Sequence, residues 1–346
     1  MPLYTYTIEQ PDAWDQVAKS FRCHDVYHLS GYVKAFQLHG DGEPMLFCYE
    51  DGRLRGINVV MKRDVADDPF FAGQLPKGEI FDLITPYGYG GWLLEGEGDT
   101  APLFQAYAEW CEKHNVVSEF VRYHPMLENA ETTKPFYEVV ELGNTVFMDL
   151  SSPETIWANL TSKNRNMVRK AQKSGIEICY GQFPAIYKTF KEIYESTMDH
   201  DQAKDYYYFK DAFYDSIRTD LPNEAQVFWA ELDGKIIAAS IMLSANGYVN
   251  YHLSGSLREY QNLAPSNLLL YKAALWGCHH GYRSLHMGGG VGSKEDSLYK
   301  FKSAFNRNET RRFSIGKKIF LPELYEKLTA MKQVPDGEGF FPKYRA

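Results

Sequence analysis

The stretch FWAELDG at residues 228–234 runs directly into the apolar segment KIIAASIML at 235–243. Asp-Gly between two strand-like runs is the signal for a β-hairpin, because glycine tolerates the positive φ that a tight turn needs. A weaker copy lies earlier, where LFCYEDG at 46–52 runs into RLRGINVVM at 53–61. Asp51 and Asp233 are 182 residues apart, far more than the period of a solenoid repeat. The spacing predicts two similar domains in tandem.

Helical patterns precede and follow each hairpin, which predicts an α/β (α+β) fold with a mixed central sheet in each domain. The predicted helices cover 14–21, 31–37 and 101–114 in the first half and 185–196, 209–218 and 266–280 in the second. Ser152-Pro153 reads as an N-cap followed by proline at the first helical position. We therefore expect domains at 1–150 and 151–320, followed by a C-terminal helix and tail at 321–346.

The composition excludes several classes of protein. With 346 residues, 44% of them hydrophobic, the chain can bury a large core. A net charge of −8 argues against DNA as a partner. The five cysteines are scattered without a Cys-x-x-Cys pair, and no apolar run approaches the ~20 residues of a membrane span. We expect a reduced, metal-free cytoplasmic protein without an integral membrane segment, and leave open a place at the inner face of the membrane.

Positive charge is concentrated in two segments. Between Thr155 and Ile176 there are five cations and no acid, and residues 294–318 carry eight cations against three acids. Each segment is therefore +5, which leaves −18 for the rest of the chain. Such segregation suits a phosphate-bearing ligand, although a solvated basic helix face would show the same charge.

Familiar catalytic motifs are missing from the glycine-rich and histidine-containing segments. HMGGGVGSK at 286–294 lacks the Gly-Lys-Ser/Thr ending of a phosphate loop, so we reject a nucleoside triphosphatase. No G-x-S-x-G elbow of a hydrolase occurs. His200 and His279-His280 lack the spacing of a metal site, which favours a structural or surface role.

Aromatic residues crowd two segments, YYYF at 206–209 and PYGYGGW at 86–92. The glycines of the second segment let rings crowd together. A binding groove and a buried domain seam are both consistent with this composition.

The pattern W-x-x-L-x-x-K-x-R-x-x-V-R-K-A-x-x-x-G at 157–175 resembles a signature of the FemX/FemAB-like peptidoglycan aminoacyltransferases. The resemblance continues with Gly288-Gly289, DSLYxFKxxF at 296–305, Ile315-Gly316 and LPELY at 321–325. YGYGG at 87–91 and Pro265 fit the wider family. The motifs match the family strongly over residues 151–326 and more weakly before residue 151.

The resemblance implies two tandem acetyltransferase-like (GNAT-like) domains, with the final helix packed back on the first. It also implies transfer of an aminoacyl group from charged tRNA to an amine of a UDP-linked or lipid-linked cell-wall precursor, without a tightly bound cofactor. Related proteins take acyl groups from coenzyme A.

Family positions carry over residue by residue. Lys302 and Phe301 match the Phe-Lys pair of the catalytic cleft, where a cation can stabilise an oxyanion. Lys34 and Tyr208 match residues of the acceptor site. Lys204 stands where the family has an arginine, and Leu253 stands where it has a tyrosine, so the acceptor's identity stays open. The candidate donor-binding residues are Lys163, Arg165 and Arg169.

Two rival hypotheses remain. The first is an acyl-CoA-dependent N-acyltransferase acting on a sugar, lipid or small amine. It is disfavoured because EYQNLAP at 259–265 lacks the glycines that cradle pyrophosphate in typical GNAT domains. The second is a non-catalytic protein that binds tRNA or the precursor.

Overall fold

The computed structural model describes residues 3–333 and 339–346. The chain forms two compact units. The first contains residues 1–142 and 313–346, and the second contains residues 143–312. The second unit is therefore inserted into the sequence of the first.

The first unit is a mixed sheet with helices. Its elements are β1 Leu3–Thr7, α1 Pro11–Ser20, α2 Ser30–His39, β2 Glu43–Glu50, β3 Leu54–Asp64, β4 Phe81–Ile84, β5 Leu93–Gly96, α3 Ala101–Lys113 and β6 Val116–Arg122, completed by most of β13 Thr310–Ile319 and by α10 Pro322–Lys332. The strand order is β1-β2-β3-β4-β6-β13, with β5 beside β3. β4 and β6 run parallel and the other neighbours run antiparallel.

The second unit repeats this plan. Its elements are the end of β7 Glu138–Asp149, α4 Pro153–Asn159, α5 Ser162–Lys173, β8 Glu177–Gly181, α6 Pro184–His200, α7 Asp211–Asp220, β9 Ala225–Leu232, β10 Lys235–Ala245, β11 Tyr248–Ser256, α8 Pro265–His279, β12 Ser284–Gly288 and α9 Ser297–Ser303. The strand order is β7-β12-β11-β10-β9-β8, with β11 and β12 parallel. The sequence-based divisions at 150 and 320 fall at the ends of β7 and β13, the two strands that cross between units.

Both predicted hairpins are confirmed, and they turn in different ways. Asp233 and Gly234 both have positive φ (51° and 76°), as a two-residue hairpin turn requires. In the first unit the carboxylate of Asp51 accepts hydrogen bonds from the backbone N–H groups of Arg53 and Leu54 at 2.9 and 2.8 Å. The same connection is therefore closed by backbone geometry in one unit and by a side chain in the other.

The helix predicted to begin at Ser152 is two helices. Ser152 caps α4 as expected, accepting a hydrogen bond from the backbone N–H of Thr155. The chain then becomes extended at Leu160 and restarts because the Thr161 hydroxyl caps the N–H of Asn164 at 3.2 Å. The apolar residues Leu160, Val168 and Ala171 of this segment form a stripe that is fully buried in the core.

Chain residues after 312 complete the first unit. The buried carboxylate of Asp82 accepts hydrogen bonds from Arg63 at 2.7 Å and from Arg345 at 2.9 Å. Tyr344, fully buried, lies against the Ser118 hydroxyl at 2.8 Å and packs with Tyr325 of α10. α10 thus belongs to the core of the first unit. In the described part of the chain, no helix has the length and apolar character to cross a membrane.

A tight turn at 87–91 packs on the N-terminal helices of the first unit. The Tyr32 hydroxyl donates to the Tyr87 carbonyl, and the Phe36 ring stacks on the Tyr87 ring at 5.5 Å. Gly88 has φ +95°, and a Cβ there would lie 2.5 Å from a ring carbon of Tyr27. The glycine is therefore required both by conformation and by the approach of the Tyr27 ring.

We expect Gly88→Ala to lower the free energy of unfolding by about 3 kcal/mol, because it adds a steric clash to the cost of a left-handed alanine. Gly52→Ala is the matched control: its φ is +86° but no atom lies within 4 Å of the added Cβ. The control should lose only about 1 kcal/mol. Urea unfolding of both variants checks this, and equal losses would contradict the packing of Tyr27 on this turn.

Candidate active site

The parallel strands β11 and β12 separate in the middle of the second unit. They pair at only three positions, ending with Asn250 opposite His286. Beyond that point β11 continues along β10 while β12 ends at Gly288 beside β7. Separating strands leave backbone groups available at the edge of a gap, a common place for ligands. Both Asn250 and His286 are buried there. Sequence analysis missed them, although each is a polar residue within an apolar strand.

The glycine-rich loop after β12 folds on itself. Asp296 caps α9 by accepting a hydrogen bond from the Tyr299 N–H at 2.8 Å, and it also accepts from the Val291 N–H at 3.0 Å. These backbone donors lower the pKa of Asp296. A Cβ on Gly290 would lie 2.1 Å from the Lys294 carbonyl oxygen. The glycines therefore serve the loop's own packing, in keeping with the rejected phosphate loop.

Lys302 lies in α9 with its side chain turned into the protein. The residue is 8% exposed, and its Nζ donates to the Gly289 carbonyl at 2.7 Å. Burial lowers the pKa of Lys302 to about 8, and the nearby charge of Asp296 opposes that shift. An ammonium in this state is a strong hydrogen-bond donor that gives up its proton near neutral pH. Phe301 is half-buried, and its ring contacts Phe305 at 5.5 Å.

The basic helix α5 begins against the end of α9. The Ala304 carbonyl accepts hydrogen bonds from the Thr161 N–H at 2.9 Å and from the Asn164 side chain at 3.2 Å. The Asn164 oxygen in turn accepts from Asn267, in the first turn of α8, at 2.7 Å. Asn164 is 1% exposed. It therefore joins three helices, and its position brings the start of α5 close to the element that carries Lys302.

The predicted donor-binding residues lie on α5. Lys163 is exposed, Arg165 donates to the Leu160 carbonyl at 2.6 Å, and the Arg169 guanidinium lies 5.0 Å from the centre of the Trp157 ring. Within residues 3–333 and 339–346, none of these three cations has a carboxylate within 4.0 Å. Their charge is therefore not neutralised locally and is available to an anion.

The predicted acceptor residues of the second unit lie just after α6. The Tyr208 hydroxyl donates to the Asp199 carboxylate at 2.7 Å, and that hydrogen bond raises the pKa of Tyr208. Lys204 is exposed and precedes a short turn at 205–207. Lys34, the remaining acceptor candidate, is half-buried in α2 of the first unit.

The first unit also contains a buried polar pair that sequence analysis missed. His124 Nε2 lies 2.9 Å from an Asp25 carboxylate oxygen, and neither side chain is exposed. The rings of Tyr27 and Tyr89 contact His124 at 5.5 and 5.6 Å. Sequence alone could not reveal this pair because its members are 99 positions apart.

No cluster of three or more His, Cys, Asp or Glu side chains suited to a metal ion occurs among the described residues. The candidate chemical groups of the second unit are Lys302, bonded to Gly289, and the loop that Asp296 organises.

Comparison with known proteins identifies the fold. The acetyltransferase (GNAT) domain family matches residues 162–303, the segment that contains α5, the separating strands and Lys302. A crystal structure of FemX superposes with a TM-score of 0.67 over 94% of this chain and 99% of its own, at 14% identity. The chain therefore has a FemX-like fold that includes a GNAT domain at 162–303.

Two further structures share the fold. The C-terminal domain of a putative lysylphosphatidylglycerol synthetase from Agrobacterium fabrum gives a TM-score of 0.58, covering 92% of this chain and 95% of its own at 14% identity. A tandem GNAT protein from the clavulanic acid biosynthesis pathway gives 0.50, covering 92% and 98% at 10% identity. No curated protein sequence matches the chain. The tandem GNAT-like architecture that the Fem resemblance implies is confirmed.

The low pKa of Lys302 makes a prediction about stability. Between pH 8 and pH 10.5 an unfolded chain keeps the Lys302 proton while the folded chain has lost it, so the free energy of unfolding should rise with pH. The rise attributable to Lys302 should reach about 3 kcal/mol. Urea unfolding from pH 7.5 to pH 10 should show this rise in the wild type and lose it in Lys302→Met.

Lys300→Met is the control, because Lys300 lies on the same helix but is exposed. It should keep the wild-type dependence on pH. If Lys302→Met also kept it, Lys302 would not be titrating in this range.

Proposed function

We propose that the protein transfers an aminoacyl group from aminoacyl-tRNA to an amine of a UDP-linked or lipid-linked cell-wall precursor. The observation that carries this proposal is the basic helix α5, whose cations lead from the end of α9 and Lys302 across the surface of the second unit. A polyanion whose reactive end must reach a buried lysine would be held by such an arrangement.

The surroundings of α8 favour tRNA over coenzyme A as the donor. In typical GNAT domains the turn before this helix cradles pyrophosphate. Here that turn carries no glycine, and its Asn262 carbonyl accepts a hydrogen bond from Lys170 at 2.5 Å. Asn267, in the first turn of α8, is bonded to Asn164. Side chains of α5 therefore contact both this turn and the first turn of α8.

The proposed reaction needs no covalent enzyme intermediate. The acceptor amine attacks the ester carbonyl of the donor, forming a C–N bond and a tetrahedral oxyanion. The C–O bond to the ribose then breaks, the ribose oxygen takes a proton from Lys302, and the amine releases a proton to water. Lys302 regains its proton from solvent. A fixed donor at such a centre lowers the barrier by about 3–4 kcal/mol.

The Fem resemblance and the lysylphosphatidylglycerol synthetase neighbour both support an aminoacyl donor for this fold. Lys34, Lys204 and Tyr208 are the residues we propose for the acceptor. Lys34 offers a cation in the first unit, and Lys204 and Tyr208 offer a cation and a phenol in the second. Each suits a phosphate-bearing precursor.

Lys302→Ala should lower kcat about 10²- to 10³-fold because a donor to the oxyanion is lost. In the wild type kcat should fall as pH rises through about 8, since Lys302 then loses its proton. Lys302→Arg keeps the charge but does not release its proton at these pH values, so its kcat should be low and should not fall as the pH rises through about 8. Single-turnover transfer from charged tRNA, measured from pH 6.5 to pH 9.5, tests all three.

Stability separates a chemical role from a structural one. The melting temperature of Lys302→Ala should stay close to that of the wild type, and its collapse would mark Lys302 as structural. Wild-type turnover in a folded Lys302→Ala protein would refute the proposed role of Lys302. Binding of tRNA or precursor by the wild type without any transfer would instead favour a non-catalytic binding protein.

Binding of tRNA should weaken steeply with salt, because each phosphate contact releases condensed counterions. Replacing Lys163, Arg165 and Arg169 together by glutamine should reduce the slope of log K against log [KCl] by about 2–3. Filter binding from 50 to 300 mM KCl measures the slope. The matched control replaces three exposed lysines elsewhere in the second unit, Lys188, Lys210 and Lys272, and should keep the wild-type slope. A flat salt response of the wild type would refute tRNA as the donor.

A further inference from the structure

Arg122 ends strand β6 of the first unit among tyrosine rings. Its guanidinium lies 5.8 Å from the centre of the Tyr87 ring. Burial raises the pKa of Tyr27 and of Tyr89, and the positive charge of Arg122 opposes that rise. Arg122, Tyr87 and Tyr89 are all half-buried, so a ligand can still reach this group.

Arg122 lacks the partner that comparable arginines have. Within the described parts of the chain, its side chain makes no hydrogen bond and no ion pair. The other half-buried arginines of the first unit are each paired with a carboxylate: Arg55 with Glu95 at 2.6 Å, Arg63 with Asp82 at 2.7 Å and Arg345 with Asp82 at 2.9 Å. The first unit therefore neutralises its half-buried guanidinium groups at every such position except Arg122.

An unpaired, partly buried charge costs folding free energy, because it loses water without gaining a partner. The guanidinium presents donors in a planar fork that matches the two oxygens of a carboxylate or phosphate. The Tyr87 and Tyr89 rings beside it provide apolar walls and polar tips. These properties together suit a ligand with an oxyanion attached to a bulkier body.

The turn that presents Tyr87 is fixed, so the site is formed before a ligand arrives. Gly88 packs against Tyr27, and the Gly90 N–H donates to the Arg122 carbonyl at 2.8 Å. The Arg122 N–H donates to the Thr85 hydroxyl at 3.1 Å. The backbone of Arg122 is thus bonded on both sides while its side chain is left to a ligand. α2, which carries Lys34, borders the same turn through Phe36.

We propose that Arg122, with Tyr87 and Tyr89, forms an oxyanion-binding subsite in the first unit that takes the phosphate or carboxylate of the acceptor. Assignment to the acceptor rests on the proposed function, whereas anion binding at Arg122 does not. The guanidinium donates bidentate hydrogen bonds to two oxygens of the anion, and the tyrosines contact the group that carries the anion.

Calorimetric titration of the full chain with inorganic pyrophosphate and, separately, with succinate at low salt tests the subsite. At least one anion should bind, and Arg122→Gln should weaken that binding at least tenfold. If pyrophosphate alone is affected, the source is a phosphate, and if succinate alone is affected, it is a carboxylate. Arg122→Lys should restore part of the affinity, because it keeps the charge without the fork.

Arg53→Gln is the matched control, because Arg53 is an exposed arginine of the same unit. It should leave the titration unchanged. Equal weakening in Arg53→Gln and Arg122→Gln would overturn the subsite, and so would unchanged binding in a folded Arg122→Gln protein or the absence of binding by either anion.

Steady-state kinetics then tests the assignment to the acceptor. Arg122→Gln should raise KM for the acceptor at least tenfold while the affinity for charged tRNA stays at the wild-type value. A rise confined to the donor would overturn the acceptor assignment. If the wild type transfers nothing from any charged tRNA, the proposed function fails while the anion titration still decides whether Arg122 binds.

Discussion

The hydrogen bond from the Lys302 ammonium to the Gly289 carbonyl determines how the candidate site is built. It requires a lysine on a short helix to reach the end of a strand, so the intervening loop must turn tightly. Asp296 makes that turn possible by binding the loop at Val291 and the helix at Tyr299. Asn164 then fixes the far end of the helix through Ala304.

Burial of the Lys302 ammonium lowers the stability of the folded state. An ammonium that is almost fully buried favours its neutral form, and a protein selected for stability alone would place a neutral side chain there. The same burial makes the proton of Lys302 available near neutral pH. The burial that makes Lys302 a useful proton donor therefore also lowers the stability of the folded protein. Such an exchange of stability for activity is typical of functional sites.

Much of the architecture could be read from the sequence, because hairpin turns and apolar stripes are local signals. The two Asp-Gly pairs indicated the tandem architecture, and Ser152-Pro153 marked the start of α4. The break at Leu160 was missed because the apolar stripe continues in phase across it, while the Thr161 cap that restarts the helix gives only a weak signal. Lys302 was found through a motif.

Arg122 and the Asp25–His124 pair could not be found that way. A guanidinium is recognised as unpaired only when every neighbour in space is known, and the Asp25–His124 contact joins residues far apart in the chain. Local patterns thus predict elements, whereas the charge balance of a site emerges only from the folded arrangement.

The insertion of the second unit into the first has a consequence for synthesis of the chain. The carboxylate of Asp82 is made early, but its partner Arg345 emerges from the ribosome only after the second unit has been translated. The second unit can fold as soon as its own residues are complete, while the first must wait with its sheet lacking β13. A message cut short just after residue 312 would therefore yield a chain with a complete second unit, including the Lys302 loop, and an incomplete first unit. The proteases and chaperones of the cell would act on a chain whose first sheet is incomplete.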